Sequence, residues 1–323
     1  MPKAVRFEKT GGPEVMRLDE VAVPDPGEGQ IRVRHRAIGV NYIDTYHRSG
    51  LYPKPLPASL GVEAAGVVEA VGKGAGSIRV GDRVAYVGGG GDAYSEVTVV
   101  PAAGVVSLPD DISDEVAAAI LLKGLTVHML FHRVASPRRG DSVLFHAAAG
   151  GVGLLACQWA RHLGIRMIGT AGSAEKAEAA RRRGCAETIL YREQDFVART
   201  LELTAGRGVP IVYDSVGRDT VAKSLECLAP RGLLVSFGNA SGPPPPLEFS
   251  ALSRGSLFAT RPSLFHYIAD EADRREACAT LFELVRTGSL AVEIGHRYAL
   301  AEVVRAHRDL ESRATTGSVI LLP

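Results

Sequence analysis

Two rhythms of apolar and polar positions divide this chain. Over roughly the first hundred residues, short runs rich in valine and isoleucine or of alternating polarity occur at residues 4–7, 20–23, 31–37, 63–71, 83–87 and 94–100. Turn signals separate them, GGP at 11–13 and PDPG at 24–27. Short strands with such turns predict a barrel or sandwich rather than a parallel sheet. Within this region residues 42–49 read as a two-turn helix that Asn41 caps and Gly50 ends. Three- and four-residue spacing then puts Tyr42, Thr45, Tyr46 and Ser49 on one face, a polar aromatic wall beside the proline-bearing loop 52–57.

Near Ser113 the pattern changes to helix, with one capped helix expected from Ser113 and a second over 126–134. From Asp141 onward strands and helices alternate. Strands are expected at 143–145, 166–170, 188–190, 211–214 and 233–237, and helices at 154–163, 174–183, 195–204 and 220–228. Such alternation specifies parallel strands with crossover helices, a doubly wound sheet that binds its ligand at the carboxyl ends of the strands. An edge strand at 255–260, a helix at 271–286 and a strand at 318–322 complete the chain. The run Pro243 to Pro246 reads as a stiff surface spacer.

Composition narrows the classes. Lys plus Arg number 37 and Asp plus Glu 36, so no field of one sign invites nucleic acid or an anionic membrane. No apolar run approaches the eighteen or so residues of a membrane span, and the N-terminus has no signal-peptide core, which makes a cytoplasmic protein the expectation. The four cysteines, Cys157, Cys185, Cys227 and Cys278, make no Cys-x-x-Cys spacing, so neither a disulfide framework nor a clustered zinc site is signalled.

The chemistry centres on FHAAAGGVG, Phe145 to Gly153, a strand, a tight turn of small residues and the start of a helix. Small residues let backbone N–H groups approach a diphosphate, and the helix N-terminus adds partial positive charge. Gly150, Gly151 and Val152 are the expected diphosphate contacts. The segments after the other strands, Gly172-Ser173, Tyr191, Ser215 and Gly238-Asn239, fall on the same rim. After the second strand, where an NAD-binding fold places an acid, this chain has Gly172-Ser173 and then Lys176. A hydroxyl and a cation suit a 2′-phosphate, so NADPH is the expected cofactor, with Tyr191 against the adenine or the phosphate.

Seven passages carry a resemblance from end to end: GGPEV at 11–15, GVNYIDTYHRSGLYP at 39–53, GVEAAGVVEAVG at 61–72, KGLTVH at 123–128, FHAAAGGVGLLACQWA at 145–160, YDSVGRDT at 213–220 and ESRATTGS at 311–318. The chain resembles the zinc-independent quinone oxidoreductases of the medium-chain dehydrogenase/reductase superfamily. The resemblance implies an α/β architecture: a GroES-like β-barrel catalytic domain built from residues 1–124 and 263–323, with a Rossmann nucleotide-binding domain at 125–262. Where zinc-dependent relatives carry a cysteine and a Gly-His-Glu, this sequence has Asn41 to Asp44 and Gly61-Val62-Glu63, so no metal is expected.

The implied activity is metal-independent transfer from NADPH to a quinone in the cleft between the domains. Asn41, Tyr46 and Tyr52 are the implied catalytic residues, the tyrosines bordering the acceptor, where a phenol can donate to a quinone oxygen or merely shape the cleft. Asn41 and Asp44 would lie by the nicotinamide ribose and Thr126 by the carboxamide. Tyr42, Ser215, Phe237, Gly238, Asn239, Ser263 and Leu264 are counted among the cofactor contacts, and Arg313 would close on the cofactor from the last helix. Relatives suggest a homodimer through an exposed sheet edge, with 255–260 the candidate seam. Two other readings stay open: an NADPH-dependent reductase of alkenals or enones, and a non-catalytic NADPH-binding module that binds RNA.

Overall fold

The computed structural model describes residues 1–88, 92–312 and 315–323, and these form two compact units. One comprises Met1–Lys123, Asp270–Arg286 and Val292–Pro323, the other Gly124–Ala269 and Thr287–Ala291. The sequence reading returned the chain to the first unit at residue 263, whereas here residues 263–269 stay with the second. The short helix Leu264–Tyr267 packs against the segment Met129–Val134 of that unit.

In the first unit, one sheet runs in the order Ile294–Ala299, Ser318–Leu322, Gln30–Val40, Glu63–Val71, Arg83–Val87 and Val105–Ser107, with Val97–Pro101 also paired to Gln30–Val40. Val319 faces Val40 and Leu321 faces Ile38, so both ends of the chain build this sheet. A smaller antiparallel sheet joins Arg17–Glu20, Lys3–Phe7 and Ala58–Ser59. Alternating inward residues, Phe7, Ile31, Val33, Ile38, Tyr94 and Leu321 among them, fill the core at 0% exposure. The expected strand at 20–23 forms instead at Arg17–Glu20: its partner strand begins at Lys3, which faces Glu20, and beyond that pair the Val21 N–H donates to the Pro2 carbonyl at 2.9 Å.

The second unit holds six parallel strands in the order Glu187–Leu190, Arg166–Ala171, Ser142–Phe145, Val209–Asp214, Leu228–Ser236 and Phe258–Thr260. The order reverses at Ser142–Phe145, and the rule for such sheets puts a ligand at the carboxyl ends on either side of that reversal. Leu144, Ile168, Ile189, Val212 and Leu234 form its buried core.

The two helices expected between Ser113 and Val134 are one continuous element, Asp114–His128 followed without a break by a π-helical turn, Met129–Val134. Gly124 is buried within it, and a lone glycine packed on its helix does not end it. By length and composition this helix could cross a membrane, which the sequence reading had denied to every segment. Yet 72% of its most apolar 18-residue stretch is buried inside the protein.

Candidate active site

The glycine turn behaves as its chemistry requires. Gly150 caps the helix Gly151–Leu163 in extended conformation, with no side chain occupying the cap. A Cβ on Gly153 would press on the carbonyl oxygens of Ala147 and Ala148, so only glycine lets this helix start so near the strand end. A Cβ on Gly150 would meet, among the described residues, only the Ala147 oxygen at 3.3 Å. That face of the turn is therefore open to a ligand. Ala147 takes the left-handed conformation at φ 56°, an arrangement of about 1–2 kcal/mol cost for a non-glycine residue.

After the second strand, Ser173 caps the helix Ala174–Arg182 and its Oγ accepts from the Lys176 N–H at 3.3 Å. Since Oγ only accepts in this bond, its hydrogen can be donated to an anion. The Tyr191 hydroxyl lies 2.8 Å from where a Cβ on Gly172 would stand, and its N–H donates to the Ala171 oxygen at 3.2 Å. Gly172, Ser173, Lys176 and Tyr191 thus form one cluster. Glu175, the only acid beside it in sequence, is exposed on the helix.

Farther along the rim, Gly238 packs on Ser215, whose carbonyl oxygen would be 2.5 Å from an added Cβ. Phe237 lies against Phe145 with ring centroids 5.7 Å apart. Asn239 is buried and accepts through Oδ1 from Arg261 at 3.0 Å, while Arg261 also donates to Ser236 Oγ at 2.9 Å. Sequence reasoning passed over Arg261. Ser263 stands at the N-cap of the short helix Leu264–Tyr267, with Leu264 buried, and Thr126 lies half-buried on the long helix. Arg313 lies outside the described residues.

In the first unit, Asn41 stands at the N-cap of the helix Tyr42–Ser49, where its N–H donates to the Asp44 carboxylate, and Gly50 ends the helix at φ 83°. Tyr46 stands edge-on to Tyr52 at 5.2 Å and tilted to Tyr42 at 6.3 Å, so the three phenols form one aromatic group. The Tyr42 hydroxyl donates to the Leu310 carbonyl at 3.0 Å. The opposite turn spacing, Asp44 to Arg48, is the charged part of the buried face.

Around Asp44 the structure joins Asn41 and Asp44, both expected at the site, to Glu63 and Lys123, to which the sequence reading gave no part in it. Asn41 Nδ2 donates to Glu63 Oε2 and the Asn41 N–H to Asp44 Oδ2, both at 2.9 Å. Leu122 N–H donates to Glu63 Oε1 at 2.6 Å, and Lys123 Nζ lies 3.8 Å from Glu63 Oε2. Burial pushes the Asp44 carboxyl up to about 7, opposed by the Asn41 and Tyr94 donors and reinforced by Glu63. Burial likewise raises Glu63 and lowers Lys123, outweighing in both the attraction between them. The signal for this pair was present: a lone acid in GVEAAGVV and a lone base in AILLKGL, each inside an apolar run.

A cavity of about 680 Å³ also lies in the first unit, between the turn 74–78, residues 102–107 and the helix Glu271–Arg286. It is lined by none of the candidate site residues.

Two family profiles match the chain: an alcohol dehydrogenase GroES-like domain over residues 27–110 and a zinc-binding dehydrogenase domain over 151–286. The zinc in the second description finds no donor set, since among the described residues no three His, Cys, Asp or Glu side chains converge. A quinone oxidoreductase of Pseudomonas aeruginosa is 53% identical, with 100% of each chain covered. A 2-haloacrylate reductase of Burkholderia is 44% identical over 100% of this chain and 99% of its own. The crystal structure of Escherichia coli quinone oxidoreductase complexed with NADPH superposes with a TM-score of 0.98 at 49% identity, covering 99% of this chain and 100% of that one.

Proposed function

Because the chain belongs to the zinc-independent quinone oxidoreductases of the medium-chain dehydrogenase/reductase superfamily, we propose that it reduces quinones with NADPH. The observation that carries this reading is the end-to-end likeness to quinone oxidoreductases, one of them holding NADPH, joined to a rim whose Gly172, Ser173, Lys176 and Tyr191 suit a phosphorylated ribose.

Bound NADPH supplies a hydride from its nicotinamide ring. This chain's residues bind and orient. Gly151 and Val152 offer backbone N–H groups to the diphosphate, beside Gly150, whose own N–H is used on the Ala147 oxygen and which contributes its bare Cα, and Ser173 and Lys176 hold the 2′-phosphate with a hydroxyl and a cation. Tyr191 covers the adenosine end. Ser215, Phe237, Gly238, Asn239, Ser263, Leu264 and Thr126 serve the nicotinamide end, with Asn41, Tyr42 and Asp44 at its ribose. Tyr46 and Tyr52 border the acceptor, where a phenol O–H stabilises negative charge on the acceptor oxygen.

The assay is loss of reduced-nicotinamide absorbance with 1,4-benzoquinone, 9,10-phenanthrenequinone and a 2-alkenal. Quinone turnover without alkenal turnover supports the proposal; the reverse favours an enone or alkenal reductase. That second reading is favoured by the likeness to the haloacrylate reductase, whose name marks an activated carbon–carbon double bond.

We further propose a homodimer through the sheet edge. Phe258, on the terminal strand Phe258–Thr260, is 60% exposed, and Phe249 nearby in sequence is 88% exposed. An edge strand bearing a large apolar side chain is stabilised by a second copy that continues the sheet.

A further inference from the structure

Beneath the rim of the second unit, side chains join the ends of three strands in a single line. Asp214, at the end of Val209–Asp214, is buried. Its Oδ1 accepts from Val216 N–H at 2.9 Å, Gly217 N–H at 3.0 Å and Thr220 Oγ1 at 2.9 Å. Its Oδ2 accepts from the Ser224 hydroxyl at 2.9 Å. Ser224 has one hydrogen and has used it, so at 2.9 Å from His146 Nε2 it must accept.

The remaining directions follow in turn. His146 carries its hydrogen on Nε2, and Nδ1 is an acceptor. Facing Nδ1 at 3.1 Å is Thr170 Oγ1, which therefore donates. With its hydrogen spent, the Thr170 oxygen accepts from the Ala147 N–H at 3.2 Å. Each hydrogen in the line is used once, from a backbone amide at one end to a carboxylate at the other. Reversing one link would set two hydrogens or two lone pairs against each other.

The imidazole sits where it stays neutral. His146 is 1% exposed, Phe196 meets its ring edge-on at 4.9 Å, and Asp214 Oδ2 lies 3.9 Å from Nε2. Burial lowers its pKa more than Asp214 raises it.

The amide that begins this line belongs to Ala147, the left-handed residue of the glycine turn, whose carbonyl accepts from Gly150 N–H at 2.9 Å. We infer that His146 and Thr170 are positioning residues for the dinucleotide: they hold Ala147 in its left-handed conformation, and through the Ala147 carbonyl's bond to Gly150 the N–H groups of Gly151 and Val152, and tie that turn to the loop after Asp214. The inference rests on the reading of Gly150 to Val152 as the diphosphate site.

The test compares Thr170→Val, Thr170→Ser and His146→Phe with the unaltered protein, using NADPH fluorescence titration and steady-state kinetics below the unfolding transition of each. Loss of one directed hydrogen bond should raise the Kd and KM for NADPH about tenfold while kcat stays within about twofold, and Thr170→Ser should restore both. A Thr170→Val protein that binds NADPH as tightly as the unaltered one overturns the inference. Gly150→Val separates the two claims. If it too binds normally, the diphosphate reading itself fails; if it loses binding while Thr170→Val keeps it, only the positioning role fails. In the unaltered protein, nitrogen-15 imidazole spectra should show His146 neutral with its hydrogen on Nε2, and hydrogen on Nδ1 contradicts the line.

Discussion

Arg48 donates to His307 Nδ1 across 3.0 Å. A guanidinium has no lone pair to offer, so this contact makes Nδ1 the acceptor and leaves the imidazole hydrogen on Nε2. From there it points at the Tyr94 hydroxyl, also 3.0 Å away, and Tyr94 in turn donates to Asp44 Oδ2 at 3.0 Å. Burial and the Arg48 charge push His307 down to about 3, which keeps it neutral. Arg48 is itself held by Glu311 at 2.7 and 3.0 Å. The line ends on a carboxyl whose second oxygen, Asp44 Oδ1, is buried without a hydrogen bond among the described residues.

Asp44→Asn should therefore gain stability relative to the unaltered protein as pH rises. The Asp44 pKa is raised from 3.8 to about 7, so the neutral carboxyl's contribution is complete below about pH 3.8 and is lost on the way to about pH 7. Asparagine cannot ionise. The stability difference should then move in favour of Asn by about 1.4 kcal/mol per pH unit across that window, read from urea unfolding at a series of pH values. A difference that does not change with pH would mean that Asp44 ionises as an ordinary surface carboxylate does.

Lys176→Ala should weaken NADPH about tenfold or more and leave NADH nearly unchanged. A charge-assisted contact to a phosphate that NADH lacks is removed, while the Ser173 cap remains. KM values for the two nucleotides decide it; equal losses would remove the basis for NADPH preference.

Tyr52→Phe keeps the ring that meets Tyr46 edge-on at 5.2 Å and removes only the hydroxyl. If the phenol donates to the acceptor oxygen, kcat with 1,4-benzoquinone should fall about tenfold with the KM for NADPH unmoved. Full activity in this variant would leave Tyr52 a purely steric part of the wall.

Phe258→Asp places a charge on the exposed edge strand and should convert the proposed dimer to a monomer. Light scattering after size exclusion reads the mass directly. A dimer of undiminished affinity would put the interface elsewhere.

Much of the architecture was legible because it is local. The glycine turn, the Ser173 cap and the left-handed Gly50 each depend on residues within one turn of themselves, and the alternation of strand and helix after Asp141 allows few topologies. Strand ends were less legible. Where Arg17–Glu20 lies is set by its register with Lys3–Phe7, residues in another strand. The unbroken helix through Gly124 shows the same limit, since packing and not propensity carries it across a glycine.

The sequence by itself determined the two periodicities, the place of the glycine turn and of the small and basic residues after the second strand of the parallel sheet, since those reside in short stretches of chain. Only the tertiary structure decided that Asp44, Tyr94, His307 and Arg48 form one line, and Ala147, Thr170, His146, Ser224 and Asp214 another. Hydrogen bonds between residues 10 to 259 positions apart leave no periodic trace. Their directions follow from which partner can donate once the fold has excluded water.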